Sequence, residues 1–356
     1  MTHRTLIIAE AGVNHDGDLD AAMALVDCAA DAGADIVKFQ TFSADRLASR
    51  TAQKATYQKQ ATDAQESQRD MLRRLELSHD AHRVLVRHAE ARGVEFLSTP
   101  FDLDSLAFLA ADLKLKRLKL GSGEVTNAPL LVAAGATGLP VILSTGMATL
   151  GEIEQALAAL AVGYLGRSPG RAAFAAALAD AAAWEVLRRK VTLLQCTTQY
   201  PAPPADANLQ AMATLRSAFG LPVGYSDHCL GANVSLAAAA LGATAIEKHF
   251  TLDRTRPGPD HAASLEPDEL AALVAGVREI EQALGDGRKA PRPSETPNIP
   301  VARKSLVAAR PIARGEPLTR DALTTKRPGD GRSPFELWDL LGSPAAADYD
   351  ADDVIR

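Results

Sequence analysis

The sequence predicts an α/β protein, a TIM (β/α)8 barrel followed by a small β-rich domain. Short apolar runs alternate with longer Ala/Leu-rich amphipathic segments, the pattern of a parallel sheet with crossover helices. Eight such βα units fit within about 280 residues, which is what a barrel of this class requires. Beyond them the composition changes, with four prolines among the twelve residues KAPRPSETPNIP (289–300), the mark of a connecting segment. A doubly wound open sheet is the alternative, and the count of eight favours closure.

Each unit can be read in turn. LIIA (6–9) ends in EAGVNHDG and leads into the helical stretch LDAAMALVDCAADAG. IVKF (36–39) ends in QTF, and LVRHAEARG precedes VEFLS (94–98), which ends in TPFD. Both helical stretches close on glycine, as helix C-termini often do. RLKL (117–120) ends in GSGE and VILS (141–144) in TGM. The segment 163–190, GYLGRSPGRAAFAAALADAAAWEVLRRK, is too long for a plain connection, and its Ala-rich half predicts an extra turn or two of helix. No function follows from it. VTLLQ (191–195) ends in TTQYP, PVGY (222–225) in SDH, and TAIEK (244–248) in HF. ELAALVAGVREIEQALGDG is the last helix. The expected domains are thus a barrel over 1–285, a Pro-rich linker over 286–300, and a β-rich module over 301–356. So small a core is marginal alone and is expected to dock on something.

Bulk properties exclude several classes. The 356 residues are 47% hydrophobic and 23% charged, ordinary for a globular protein. A net charge of -6 without a long basic run leaves no footprint for nucleic acid. The three cysteines, Cys28, Cys196 and Cys229, form no CxxC pair and suit a reducing compartment. The N-terminal apolar run is too short for a secretion signal, and no segment approaches the roughly 18 apolar residues of a membrane span. A cytoplasmic protein without membrane or nucleic-acid partners is the expectation.

In a barrel all eight polar strand ends face one mouth, where catalytic groups sit. Turns are polar in any case, but eight such ends together point to a site. Lys38 and Lys119 lie inside otherwise apolar runs, where an ammonium must snorkel or meet an anion. With Ser122, Gly123 and Ser144 nearby, a pocket for phosphate or carboxylate is one reading; structural ion pairs are the other. His228 and His249 follow the seventh and eighth runs, neighbours in a closed barrel. Their rings could share a divalent metal or be satisfied separately. No HExxH or thiolate pattern calls for zinc. Glu10 and Glu124 end two runs, as acid–base groups or as ion-pair partners.

IIAEAGVNHDGDL, VKFQTF, FLSTPFD, GSGE, ILSTGM, GYSDH, IEKHFTLD, RPGPDH and KRPGDG together resemble the nonulosonic acid (sialic acid) synthase family over nearly the whole chain. The C-terminal module resembles the antifreeze-like (SAF) domain. The resemblance implies a domain-swapped homodimer that condenses phosphoenolpyruvate with an open-chain N-acetylmannosamine-type sugar. It also implies a divalent cofactor, Mn2+ foremost with Mg2+ or Co2+ as alternatives. By it, His228 and His249 match the metal ligands. Lys38, Lys119, Thr99, Ser122, Ser144 and Ser226 match the phosphoenolpyruvate pocket. Gln40, Tyr200 and Asp260 match acceptor contacts, Glu124 an active-site glutamate, and Glu10 an acid near the sugar. Arg327 matches an arginine that the SAF domain inserts into the partner's barrel. The chain departs from many relatives at Gln195, where a histidine is common, and at Thr198, where some place asparagine near the phosphate. The acceptor, N-acetylmannosamine or its 2,4-diacetamido-6-deoxy counterpart, stays open. Two other readings remain: a Schiff-base aldolase using Lys38 or Lys119, and a non-catalytic carbohydrate-binding protein.

Overall fold

The computed structural model describes residues 4–62 and 65–356, and the chain divides into compact units Met1–Asp286 and Gly287–Arg356. In the first unit eight strands are hydrogen-bonded in the order β3-β2-β1-β8-β7-β6-β5-β4. They are β1 (Leu6–Gly12), β2 (Ile36–Thr41), β3 (Glu95–Pro100), β4 (Leu118–Leu120), β5 (Val141–Ser144), β6 (Val191–Cys196), β7 (Val223–Asp227) and β8 (Ala245–His249). Every ladder is parallel. The end strands β3 and β4 lie side by side, so the sheet curls into a nearly closed barrel. All eight predicted runs overlap an observed strand.

The helices of the eight units are α1 (Leu19–Asp31), α2 (His79–Arg92), α3 (Leu103–Ala107), α4 (Ala128–Ala136), α5 (Leu150–Tyr164), α6 (Ala211–Phe219), α7 (Asn233–Ala240) and α8 (Pro267–Leu284). Local chemistry sets their starts. Asp18, Ser78 and Asp102 accept backbone N–H bonds at the first turns of α1, α2 and α3, and Thr149 with Glu152 forms a reciprocal box on α5. Three short helices, Ala44–Leu47, Thr56–Ala61 and Gln68–Leu75, lie between β2 and α2. The long 163–190 segment carries two helices, Arg171–Leu178 and Ala181–Lys190, more than the extra turn or two expected.

Strand alternation sorts side chains into two sets. Outward residues such as Ile7, Val37, Phe39, Leu118 and Leu193 pack against the helices in the main core. Inward residues Ile8, Ile36, Leu97, Ile142, Leu194 and Ala245 form a separate apolar plug inside the barrel. Gly224 on β7 is there because a Cβ would come within 2.4 Å of Ala245 O and 2.7 Å of Leu194 Cδ2.

The second unit has its own small core, including Leu306, Ile312, Leu318, Leu323 and Ile355. An antiparallel pair, β9 (Ser305–Ala308) and β10 (Leu323–Lys326), organises it. The Pro-rich stretch falls within this unit and bears a 3-10 turn at Thr296–Asn298 and a short helix at Ile299–Ala302.

Candidate active site

Beyond the apolar plug toward the strands' C-terminal ends, the inward positions turn polar. Glu10, Lys38, Thr99, Lys119, Ser144, Cys196, Ser226 and Glu247 line a cavity of about 160 Å³ at the C-terminal mouth of the barrel. Parallel register sets Glu10 beside both Lys38 and His249, and Ser226 beside Glu247. Lys38 Nζ lies 2.5 Å from Glu10 Oε2 and 3.6 Å from Glu247 Oε2, and donates to Thr99 Oγ1 at 3.2 Å. Lys119 Nζ donates to Ser144 Oγ at 2.8 Å and sits 3.6 Å from Glu247 Oε1. Ser226 donates to that same oxygen at 2.8 Å. Two ammonium groups, two carboxylates and three hydroxyls thus share a buried layer in which each charge faces an opposite one, the pairing that buried charges require.

The fields within this layer push its acids apart. Burial raises Glu10 to about 7 against the pull of Lys38. Burial would raise Glu247 as well, but Lys119 and Lys38 hold it at about 2. Although burial disfavours its charge, Glu10 and Glu247 keep Lys38 above the ordinary lysine range, whereas for Lys119 burial prevails and lowers it. Glu247 is the site residue that the sequence reading missed. The signal was available: it is a carboxylate inside the run TAIEK, two residues before His249 and therefore on the same face.

Above this layer sit His228, His249 and Tyr200. The histidine ring centroids are 5.5 Å apart, and Tyr200 lies tilted 4.0 Å from His228 and edge-on 5.5 Å from His249. His228 Nδ1 donates to Thr197 O at 2.7 Å, so in the neutral ring Nε2 carries the lone pair. His249 Nδ1 is buried without a hydrogen-bond partner, 3.8 Å from Asp260 Oδ2. Burial and then the neighbouring His228 lower His249 well below the usual histidine range, so its ring is neutral. For His228 burial is the largest single influence and lowers it, but Cys196, the Thr197 carbonyl and Glu247 together raise it above the usual range. Burial lifts Asp260 to about 6. Among the described residues no group of three or more His, Cys, Asp or Glu side chains is placed to hold a metal. Two imidazoles, one with an orphaned nitrogen, fit a cation whose other positions go to water or substrate.

The remaining predicted residues fall in three places. Gln40, Ser122 and Thr198 line the same cavity. Gly146 packs its backbone onto two of them: its N–H donates to Ser122 Oγ at 2.9 Å, and a Cβ there would meet Thr198 Oγ1 at 2.4 Å. Glu124, raised by burial, follows on a 3-10 turn but does not line the cavity, and its carboxylate accepts from Asn127 Nδ2 at 2.6 Å. Arg327 is exposed in the second unit, where its Nε donates to Ala302 O at 3.0 Å. Gln195 faces away from the cavity and donates to Ala207 O at 3.2 Å, so the substitution at that position supports the β6 loop and leaves the polar layer intact.

Both units of the chain are similar to known proteins. Residues 25–289 match the NeuB family and residues 303–356 the SAF domain. The chain is 49% identical over 353 residues to an N,N'-diacetyllegionaminic acid synthase of Campylobacter jejuni, covering 99% of each chain. It is 44% identical over 337 residues to the enzyme of the same name from Legionella pneumophila, covering 95% of this chain and 89% of that one. Among solved structures it is similar to the N-acetylneuraminic acid (sialic acid) synthetase of Leptospira borgpetersenii in complex with citrate. That likeness has a TM-score of 0.69 at 35% identity and covers 84% of this chain and 91% of the other.

Proposed function

The chain belongs to the NeuB family, and from that premise we propose that it is a nonulosonic acid synthase that joins phosphoenolpyruvate, an open-chain acetamido sugar and water, releasing phosphate. The observation that carries the reading is the buried layer of Lys38, Lys119, Glu10 and Glu247 directly beneath His228 and His249. The names of the two legionaminic acid synthase relatives favour a 2,4-diacetamido-2,4,6-trideoxymannose acceptor over N-acetylmannosamine.

In this mechanism the methylene carbon of phosphoenolpyruvate attacks the sugar aldehyde, water adds at the carbon bearing phosphate, and the adduct loses phosphate by carbon–oxygen cleavage. Lys38 and Lys119 face the phosphate and carboxylate charges as fixed electrostatic partners, with Thr99, Ser122, Ser144, Thr198 and Ser226 as hydroxyl donors. Glu247, 3.6 Å from both ammonium groups, favours the charged form of each and aims them before the anion arrives. A divalent cation, Mn2+ foremost, would be held by His228 and His249 and would supply Lewis-acid polarisation of the aldehyde. Gln40, Tyr200 and Asp260 orient the sugar. Glu10, pushed to about 7 inside the cavity, is better poised than the Asn127-bound Glu124 to take and return a proton at neutral pH. The SAF unit of a partner subunit in a homodimer would bring Arg327 to the acetamido group.

The test is phosphate release from phosphoenolpyruvate with Mn2+, offering each sugar separately and adding EDTA as control. Release that EDTA abolishes, faster with the diacetamido sugar, is the expected result. A borohydride-trapped lysine adduct without phosphate release would replace this reading with the aldolase, and sugar binding without turnover would replace it with the binding protein.

A further inference from the structure

Behind the two histidines, on the outer face of the sheet, lies a polar cluster that the reaction does not touch. Parallel register pairs Asp227 of β7 with Lys248 of β8. Each is the sequence neighbour of a histidine at the mouth, and strand alternation turns each away from the cavity. Their surroundings are the apolar layer between sheet and helices, yet both are almost fully buried, at 0% and 1% exposure. Lys248 Nζ lies 3.1 Å from Asp227 Oδ2 and also donates to Cys229 O. Ser235 on α7 donates to Asp227 Oδ2 at 2.6 Å, and Cys229 N–H donates to Asp227 Oδ1 at 2.9 Å. The cluster therefore brackets His228 on both sides along the chain and ties that segment to the residue preceding His249.

A buried ion pair is weak evidence for stability, because apolar residues of similar volume often do as well or better in its place. Its value here is geometric. His249 has no hydrogen bond at Nδ1 to set its ring, so the spacing of the two imidazoles depends on their backbones, and this cluster fastens those backbones together. Resting on the reading of His228 and His249 as a divalent cation site, we propose that the Asp227–Lys248 pair, with Ser235, is the positioning device that holds the two histidines at ligand spacing. Partners that orient metal ligands typically contribute 10- to 100-fold in affinity.

The experiment measures Mn2+ binding by electron paramagnetic resonance of the free ion in full-length protein, alongside thermal melting. The Asp227→Leu/Lys248→Met double variant removes the pair and fills its space with apolar groups. It leaves Cys229 N–H and the Ser235 hydroxyl without their acceptor, so it is expected to melt below the parent while its Mn2+ dissociation constant rises about tenfold or more. Unchanged affinity in a folded double variant overturns the proposal. Ser235→Ala, which deletes one of three donors to the carboxylate, carries the test should the double variant not fold: weaker Mn2+ binding with Tm unchanged supports positioning, and unchanged binding overturns it. His249→Ala separates the two readings. If it retains parental affinity, the metal site itself falls and the positioning role with it; if it loses affinity while the pair variants do not, only the positioning role falls.

Discussion

At the scale of single residues, the polar layer makes its own predictions. Lys119 is buried, hydrogen-bonded to Ser144, and shares Glu247 with Lys38. Lys119→Met should cut kcat roughly 100- to 1000-fold, as removal of one preorganised charge partner commonly does; a tenfold loss or less would show that it only balances Glu247. Glu10 gives a pH signature in EDTA-treated protein. Folding moves its pKa from the ordinary 4.5 up to about 7. The folded state thus holds a proton that the unfolded chain surrenders, and stability falls as pH rises from about 4.5 to 7 and is level above that. The effect is on the order of 3 kcal/mol at most. Glu10→Gln lacks this loss, so its Tm relative to the parent should climb across that window; parallel Tm curves from pH 5 to 8 would refute the shift. Lysines inside apolar runs were legible because they break a pattern, and the same rule applied to TAIEK would have exposed Glu247. The split in acidity between Glu10 and Glu247 was not legible, since it depends on distances among residues of four strands, β1, β2, β4 and β8.

At the scale of elements, the eight strands were legible almost to the residue because apolar runs ending in polar clusters are a strong local signal. Most of what lies between β2 and α2 was not: three helices of at most about two turns are too short for a helical period to be read. The doubled helix after α5 was under-read for a similar reason. Its first half, Arg171–Leu178, buries only Ala177, so its alanines show no apolar stripe. Gly224 is a case where the element constrains the residue. A Cβ there would strike Ala245 O at 2.4 Å, backbone of the neighbouring strand. Gly224→Ala should therefore part β7 from β8, cost about 1–3 kcal/mol, and lower Tm by several degrees. It should also weaken Mn2+ binding, because the two histidines follow those strands. A variant with parental Tm would show that the barrel yields more easily than its backbone contacts imply.

At the scale of the whole molecule, the division into a barrel and a small module was legible from composition. Which barrel it serves is a question of assembly, and the proposed swapped homodimer answers it in a testable way. Arg327 lies in the small unit and His249 in the large one. Arg327→Ala alone should raise the sugar KM with kcat largely kept, since its proposed contact is remote from the reacting bond, while His249→Ala should abolish metal-dependent turnover. Co-expressed in equal amounts, the two variants separate the arrangements. In a swapped dimer the intact barrel of the Arg327→Ala chain receives the intact module of its partner, so every mixed dimer contains one complete site. Random pairing makes half the dimers mixed, so about a quarter of all sites regain the parental sugar KM. If each module serves its own barrel, no chain is complete, and only the high-KM activity of the Arg327→Ala chain survives. The sugar dependence of the mixture, resolved into low- and high-KM components, decides between them without any measurement of size.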